Sequence, residues 1–362
     1  MISLVLLLHN NREHLARCLD YYLQLGCAYN LVVADSSVDG KIEGNRTLVA
    51  RYAQAGLQIQ YYHFKNYSYV EKVHAVLNYV STKYVCLNGV DDFRSLSSLT
   101  TAVQFLEDNK DYIIVYGAEY GFVYDLRTIE WYNTGRYLNL NTIDFDDPFQ
   151  RVNCFLDNYA TTLYGIFRTP TLINLFYYCE LYAPDIRFAE NFLTLQVLLL
   201  GKLKIIEEIS LLREMAETSV GSVSKNYLLE GDDVEQGKEL LIQGTSAVLI
   251  ENQLSESDMA VLIAKDIIKK MFMLFLSRSE PLAGTSLRST VVALVPYRIR
   301  NIKRYCHACL IYRREKKIFM HKLQKKADSL REFLLIENCI KNHAIPAFRR
   351  GMADLGQYER LM

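Results

Sequence analysis

Residues 84–93 read Tyr-Val-Cys-Leu-Asn-Gly-Val-Asp-Asp-Phe. A short apolar run stops at Asn88-Gly89, and two adjacent carboxylates, Asp91 and Asp92, follow at once. Adjacent acids just past a buried strand repel each other and lose hydration, so something must compensate them. A divalent cation is one candidate. The N-terminus of a helix starting near Ser95 is the other, in which case the acids serve as caps.

Working outward from this stretch, strand-like runs alternate with amphipathic segments up to about residue 118. "ISLVLLL" (2–8) is nearly continuous in apolar residues, the pattern of a strand covered on both faces. Residues 12–25 place Leu15, Cys18, Leu19, Tyr22 and Leu23 on one helical stripe, which Gly26 closes. "YNLVVAD" (29–35) is a second strand ending on Asp35. Residues 46–55 read as a helix, "LQIQYYHF" (57–64) as a strand, 70–80 as a helix and "KYVCL" (83–87) as a strand. A helix over 97–107 and the strand "YIIVYGA" (112–118) complete the series. The βαβα order predicts an α/β fold with a mostly parallel, doubly wound sheet flanked by helices. Ligands of such sheets bind beyond the carboxyl ends of the strands. His9-Asn10-Asn11, Asp35 and Asp91-Asp92 should therefore share one edge.

Beyond residue 118 the alternation gives way to hairpin-like strands (120–126 and 129–133), a helix near 149–156 and a strand "TTLYGIFR" (161–168). A helix closed by Gly201 and a further strand follow, and from about 233 the pattern is mostly helical. The expected division is a domain over 1–230 and a mainly helical, basic region over 231–362.

Composition narrows the class. The 362 residues are 50% hydrophobic and 23% charged, which suits a globular chain rather than a disordered one. The formal net charge of zero hides an asymmetry: residues 264–350 hold 20 Lys/Arg against 6 Asp/Glu, and the rest 21 against 35. The tail "YRIRNIKRYCHACLIYRREKKIFMHKLQKK" (297–326) mixes apolar and cationic residues at helical spacing. Such a helix can lie on an anionic membrane surface. Its cationic face can equally meet solvent or the acidic remainder, and both readings stay open. Charge alone points to nucleic acid, and no nucleic-acid-binding module accompanies it.

The first strand lacks a basic leader and a cleavage site, so it does not read as a signal peptide. No segment reaches the roughly 18 apolar residues of a membrane span. A cytoplasmic location is expected, peripheral at the inner membrane face if the basic tail docks there. The eight cysteines should then be reduced. Cys306-His307-Ala308-Cys309 lacks the second pair of a zinc site, and two glycosylation sequons, at Asn45 and Asn66, carry no weight without export. With 26 tyrosines and one tryptophan, tyrosine must build much of the core, and exposed rings would suit contacts to sugars or lipid headgroups.

Neither the dinucleotide fingerprint nor the phosphate loop occurs, so phosphate in this site would be neutralised by metal and side chains rather than by a glycine cradle. "ISLVLLLHNNREHLARCLDYY" (2–22) resembles the opening of family 2-type GT-A glycosyltransferases, and "LVVADSS" (31–37) their second strand. "STKYVCLNGVDDF…AVQFLEDNKDYIIVYG" (81–117) is similar to a bacterial subgroup with a DDDF-like motif. The likeness is fullest over residues 2–118, extends to about 215 and is absent beyond.

The resemblance implies a GT-A fold, a nucleotide-sugar donor (a UDP-sugar by default), and Mn²⁺ or Mg²⁺ on the carboxylate motif. It further implies inverting transfer to a hydroxyl of a glycan or lipid-linked glycan, as in bacterial surface polysaccharide synthesis. His9, Asn10 and Asn11 match the first turn and Asp35 the nucleotide-binding acid. Lys72 would face donor phosphate or else be a solvated helix lysine. Arg213, after the following strand, would contact diphosphate. Asp92 and Asp91 match the metal motif, but one carboxylate is missing: it is Val90 against DDDF, which makes Asp92 the ligand, or Gly89 against DxDD, which makes it Asp91. Asn88 can partly substitute. Glu190 stands where the acidic base is found, unless it is only an acid favoured by the helix dipole. A late histidine ligand of some relatives has no counterpart between His74 and His307. Two rivals are a sugar nucleotidyltransferase, whose glycine-rich loop is absent, and a degenerate GT-A binding or assembly subunit.

Overall fold

The computed structural model describes residues 1–124, 129–133, 142–157, 162–214, 233–279 and 327–343. The basic tail over 297–326, with its Cys306–Cys309 motif, lies outside the described residues.

Nine strands form one sheet: β1 (Ile2–Leu8), β2 (Asn30–Asp35), β3 (Ile59–His63), β4 (Tyr84–Gly89), β5 (Phe93–Arg94), β6 (Tyr112–Tyr124), β7 (Ile129–Asn133), β8 (Ile166–Arg168) and β9 (Lys202–Glu214). Their order is β3-β2-β1-β4-β8-β6-β9-β5, with β7 beside β6. The run β3-β2-β1-β4 is parallel, as the βαβα pattern requires. Past β4 the sheet is mixed: β8 is antiparallel to β4 and β6, while β6 and β9 run parallel to each other.

The helices are α1 (Arg12–Leu25), α2 (Asp39–Gln54), α3 (Tyr69–Leu77), α4 (Leu96–Asp108), α5 (Pro148–Asp157), α6 (Thr169–Tyr182), α7 (Ile186–Leu200), α8 (Val234–Glu251), α9 (Ser257–Ser279) and α10 (Ala327–Asn342). They cover both faces of the sheet. Along β1, Ile2, Leu4, Leu6 and Leu8 enter one core with α1, α2, α4 and α10, while Val5 and Leu7 enter the other with α3 and α5 to α9. Burial on both faces is why this strand shows no polar alternation in sequence.

Two elements differ from the sequence reading. Residues 112–124 form one long strand rather than a strand followed by a hairpin arm. Residues 169–182 form α6, which the pattern did not reveal because apolar residues run all round it. The C-terminal helices also divide between the two faces. α8 and α9 join the core around α7, while Phe333, Ile336, Cys339 and Ile340 of α10 pack with α1. Glu332 accepts hydrogen bonds from Ser95 Oγ and from the Ser97 backbone N–H (2.9 Å), capping α4 from more than 200 residues away.

Tyrosine builds the core as composition implied: Tyr21, Tyr22, Tyr84, Tyr116 and Tyr120 are fully buried. The β6–β9 pairing depends on a glycine. A Cβ at Gly117 would lie 2.5 Å from the Glu208 carbonyl oxygen and 2.8 Å from Ser210 Cβ. Gly117→Ala should therefore lower stability by about 1–3 kcal/mol. A urea denaturation series checks this, with the midpoint falling and the slope unchanged.

Candidate active site

The register of the parallel strands aligns the candidate residues. Leu8 of β1 lies opposite Asp35 of β2, Asp35 opposite His63 of β3, and Leu7 opposite Gly89 of β4. The first turn, the second-strand acid and the acidic pair thus share the carboxyl edge, as the topology required.

At one end of this edge the chain is knitted tightly. Asn10 has a positive φ of 61°, a conformation asparagine tolerates better than most residues. Its N–H donates to Ser37 Oγ (2.7 Å), and its Oδ1 accepts from the Val38 N–H (3.2 Å). His9 Nδ1 lies 2.9 Å from the Ser36 carbonyl oxygen, and His63 Nε2 lies 3.0 Å from that of Ser37. Asn11 is the exposed N-cap of α1 without a side-chain capping bond. Asp35 is fully buried and accepts from the Ser37 N–H (2.7 Å), Asn45 Nδ2 (2.8 Å) and Tyr61 hydroxyl (2.6 Å). Burial pushes its carboxyl up, but the bonds from Ser37, Tyr61 and Asn45 outweigh this and hold it below the usual range. Its oxygens therefore brace the loop after β2.

Lys72 is not a solvated helix lysine. It is 3% exposed, and its Nζ donates to the Leu8 carbonyl and to Ser36 Oγ, both at 3.0 Å. Burial pushes its ammonium down to about 8, against the opposing charge of Asp35. A buried cation held only by neutral oxygens is costly, and an anion beside it would relieve that cost.

The other end of the edge is acidic. Val90 is 3% exposed and belongs to the hydrophobic core, so a carboxylate there would point away from the edge. A Cβ at Gly89 would meet Asp91 Oδ1 at 2.4 Å and Asp92 Oδ2 at 3.5 Å. Asp91 thus folds back into the space that a side chain at position 89 would fill. Asp91 is half-buried. Asp92 is 3% exposed; its Oδ1 accepts from the Glu214 N–H (3.0 Å) and its Oδ2 lies 3.7 Å from Arg213 Nε. Neither acid caps α4, because Ser95 and Glu332 fill that role.

Arg213 lies within β9, not after it. Its Nη1 is 3.5 Å from Glu119 Oε1, and its guanidinium lies 5.2 Å from the centroid of the Tyr164 ring. Two carboxylates, Asp92 and Glu119, thus flank this cation. Burial raises the Asp92 carboxyl well above its usual range, and Asp91 and Glu119 add to this while Arg213 opposes it. Burial disfavours the charge on Arg213, but Glu119 and Asp92 hold it cationic. Arg17, fully buried, ties the same corner by donating to the Asp91 carbonyl (2.7 Å) and to Glu214, which also meets His14 at 3.5 Å.

Glu190 sits one turn inside α7, whose N-terminus Asp185 already caps by accepting from the Arg187 N–H (2.8 Å). Arg213, Asp92, Glu190 and Asp91 all lie near enough to the Tyr164 hydroxyl for their charges to act on it. Sequence reasoning missed Glu119, Tyr164, Arg17 and Glu214. For Glu119 a signal existed: one acid inside the otherwise uncharged strand "YIIVYGAEYGFVY".

The donor set suits a hard divalent cation. Asn88 Oδ1 is a buried acceptor with no hydrogen-bond partner, while its Nδ2 donates to the Gly89 (2.7 Å) and Asp92 (3.1 Å) carbonyls of the turn that carries the acidic pair. Magnesium-type sites commonly take one or two carboxylates and complete their shell with substrate phosphate and water. Among the described residues no three acids, histidines or cysteines form a ready metal cage.

Comparison with solved structures places this architecture. The structure of S. aureus TarS 1-349 in complex with UDP-GlcNAc superimposes with a TM-score of 0.53 at 14% identity, covering 96% of this chain and 93% of that chain. The structure of TarS 1-349 gives 0.50 at 12% identity, covering 80% and 76%. The likeness is one of fold, the GT-A type. No family profile and no curated protein sequence matches the chain.

Lys72 yields a test of the edge. Below pH 8 both folded and unfolded states carry its proton, and the folded state bears the buried charge. Between about 8 and the ordinary 10.5 the folded state binds fewer protons, so stability rises with pH. The gain should be on the order of 3 kcal/mol. Lys72→Met should remove it: the difference between the two proteins' urea stabilities should be constant below pH 8, shift by that amount in favour of wild type between about 8 and 10.5, and be constant again above.

Proposed function

We propose that this protein is an inverting glycosyltransferase that moves a sugar from a nucleotide-sugar donor to a hydroxyl of a surface glycan or its lipid-linked precursor. The observation that carries the reading is the composition of the carboxyl edge. Carboxylates able to take a cation, a buried lysine and a buried arginine lie along it, with a further carboxylate, Glu190, nearby. The GT-A fold shared with a protein solved with UDP-GlcNAc supports a nucleotide-sugar donor, with uridine as the first carrier to try.

In this reading the donor diphosphate lies between Lys72 and Arg213, whose charges offset those of its oxygens. Asp91, with Asp92 and Asn88 beside it, would hold Mn²⁺ or Mg²⁺, which supplies Lewis-acid stabilisation of the departing diphosphate. The open carboxylate of Asp91 is the leading ligand, because the Asp92 oxygens already face Arg213 and the Glu214 N–H. Glu190 takes the proton of the acceptor hydroxyl. The oxygen attacks the anomeric carbon from the face opposite the diphosphate, the bond to the diphosphate oxygen breaks, and the configuration inverts. His9, Asn10 and Asn11 with the Asp35-braced loop form the nucleoside end. No helix among the described residues is long and apolar enough to cross a membrane. The excess of cations over residues 264–350 would bring the enzyme to an anionic membrane surface where a lipid-linked acceptor resides.

Calorimetric titration with UDP, GDP and CMP, each with and without Mn²⁺, tests the reading. One nucleotide should bind in a metal-dependent way. Asp91→Ala should weaken that binding by roughly 3 kcal/mol, the scale of a charged contact, and Asp92→Ala should weaken it less. A folded protein that binds no nucleotide under any condition would contradict a donor site and leave the binding or assembly subunit as the better account.

A further inference from the structure

Helix α1 takes hold of the acidic turn through one fully buried side chain, Arg17. Its Nη2 donates to the Asp91 carbonyl (2.7 Å) and to the Glu214 carboxylate. The peptide unit joining Asp91 to Asp92 is thereby held at both ends, because the Asp92 N–H donates to the Gly89 carbonyl (3.1 Å). A peptide unit is planar. Holding its two polar ends therefore fixes how the chain leaves Asp91 and enters Asp92, and with that the directions of both side chains. The carbonyls on either side, of Gly89 and Asp92, accept from Asn88 Nδ2 at 2.7 and 3.1 Å.

Arg17 is itself held in place. Its guanidinium lies over the rings of Phe93 and Phe122, 5.0 and 5.8 Å from their centroids. One turn further along α1, the Tyr21 hydroxyl donates to the Arg94 carbonyl (3.0 Å), and the Tyr21 ring meets Phe93 edge-on. Helix α1 thus grips the chain from Asp91 to Arg94. Glu214, at the end of β9, closes the bracket: its carboxylate accepts from Arg17, and its N–H donates to Asp92 Oδ1 (3.0 Å). The charge of Arg17 is matched by that of Glu214, so its contribution to the turn is one of geometry more than of charge.

Resting on the reading in which Asp91 takes a divalent cation, we infer that Arg17 is a positioning residue for that cation. It acts through the backbone, holding the Asp91–Asp92 peptide so that the Asp91 carboxylate stays at the edge while Asp92 stays turned toward β9 and Arg213. Groups that orient a metal ligand in this way are worth about 10- to 100-fold in metal affinity. A residue that only stabilised the fold would leave the contribution of the cation untouched.

The test compares wild type with Arg17→Met/Glu214→Gln. The pair removes one charge of each sign, leaves the net charge of the corner unchanged and keeps the backbone N–H of residue 214 on Asp92. UDP and GDP are titrated calorimetrically, each with and without Mn²⁺, and the readout is the ratio of the two affinities. For the nucleotide that wild type binds, the variant should match wild type without metal and lose about tenfold or more of the gain that Mn²⁺ confers. A second variant, Arg17→Lys, keeps the charge and Glu214 but exchanges a rigid planar head for one whose donors rotate. Its gain should fall too, and it carries the test if circular dichroism shows the double variant unfolded. An unchanged ratio in either folded variant overturns the inference and leaves Arg17 a role in stability alone. Equal loss of affinity with and without Mn²⁺ also overturns it, because a loosened edge and not a displaced carboxylate would be the cause. Wild-type binding of a nucleotide that ignores Mn²⁺ removes the cation reading itself, and no nucleotide binding at all removes the donor site; either takes this inference with it.

Discussion

The candidate site is organised around a buried charge cluster: Asp92 and Glu119 flank the guanidinium of Arg213 at the carboxyl edge of the sheet, with Asp91 next to Asp92. Glu119 comes from β6, Arg213 from β9 and the two aspartates from the turn between β4 and β5, so the sheet has to be assembled before the cluster exists. Burial and the neighbouring acids raise the proton affinity of Asp92. Lys72 adds a buried ammonium held by neutral oxygens at the same edge. A ligand that carries a diphosphate together with a divalent cation would relieve both at once.

Much of the frame was legible in the sequence because its signals are local. The apolar runs over 2–8 and 83–87, the stripe of α1 and its closure by Gly26 need no distant partner to be recognised. The alignment of Asp35 with the acidic pair followed from the topology rule alone, and the register of β1, β2 and β4 agrees with it. The register of the thinned motif was not legible. Whether position 89 or 90 faces the edge is not written in the local sequence, and the burial of Val90 in the core is a tertiary fact. Lys72 was ambiguous for the same reason, since helical spacing does not say that Leu8 and Ser36 wait above it.

Contacts between remote segments were beyond the sequence reading. Glu332 caps α4 across 235 residues, and α10 returns to the face of α1 whereas α8 and α9 cover the opposite one. Arg94 joins Leu87 to Tyr164 across 70 residues, and Arg17 joins α1 to Asp91 and Glu214. Helix α6 escaped notice because apolar residues such as Tyr177 and Leu181 also occupy its exposed side and hide the buried stripe of Leu172, Leu175, Phe176 and Cys179. These are the links that turn a generic α/β sheet into a corner with a fixed geometry, and they carry the residues that family motifs do not single out.

The central claim, that the carboxyl edge from Lys72 to Arg213 is one donor site, is tested most directly by crystallography of the protein grown with Mn²⁺ and UDP-GlcNAc or GDP-mannose. The account predicts density for the diphosphate within hydrogen-bond reach of Arg213 and a cation on Asp91. Ligand density seated elsewhere, for example in the groove between Phe149, Val152 and Leu262, with the edge unchanged, would contradict it.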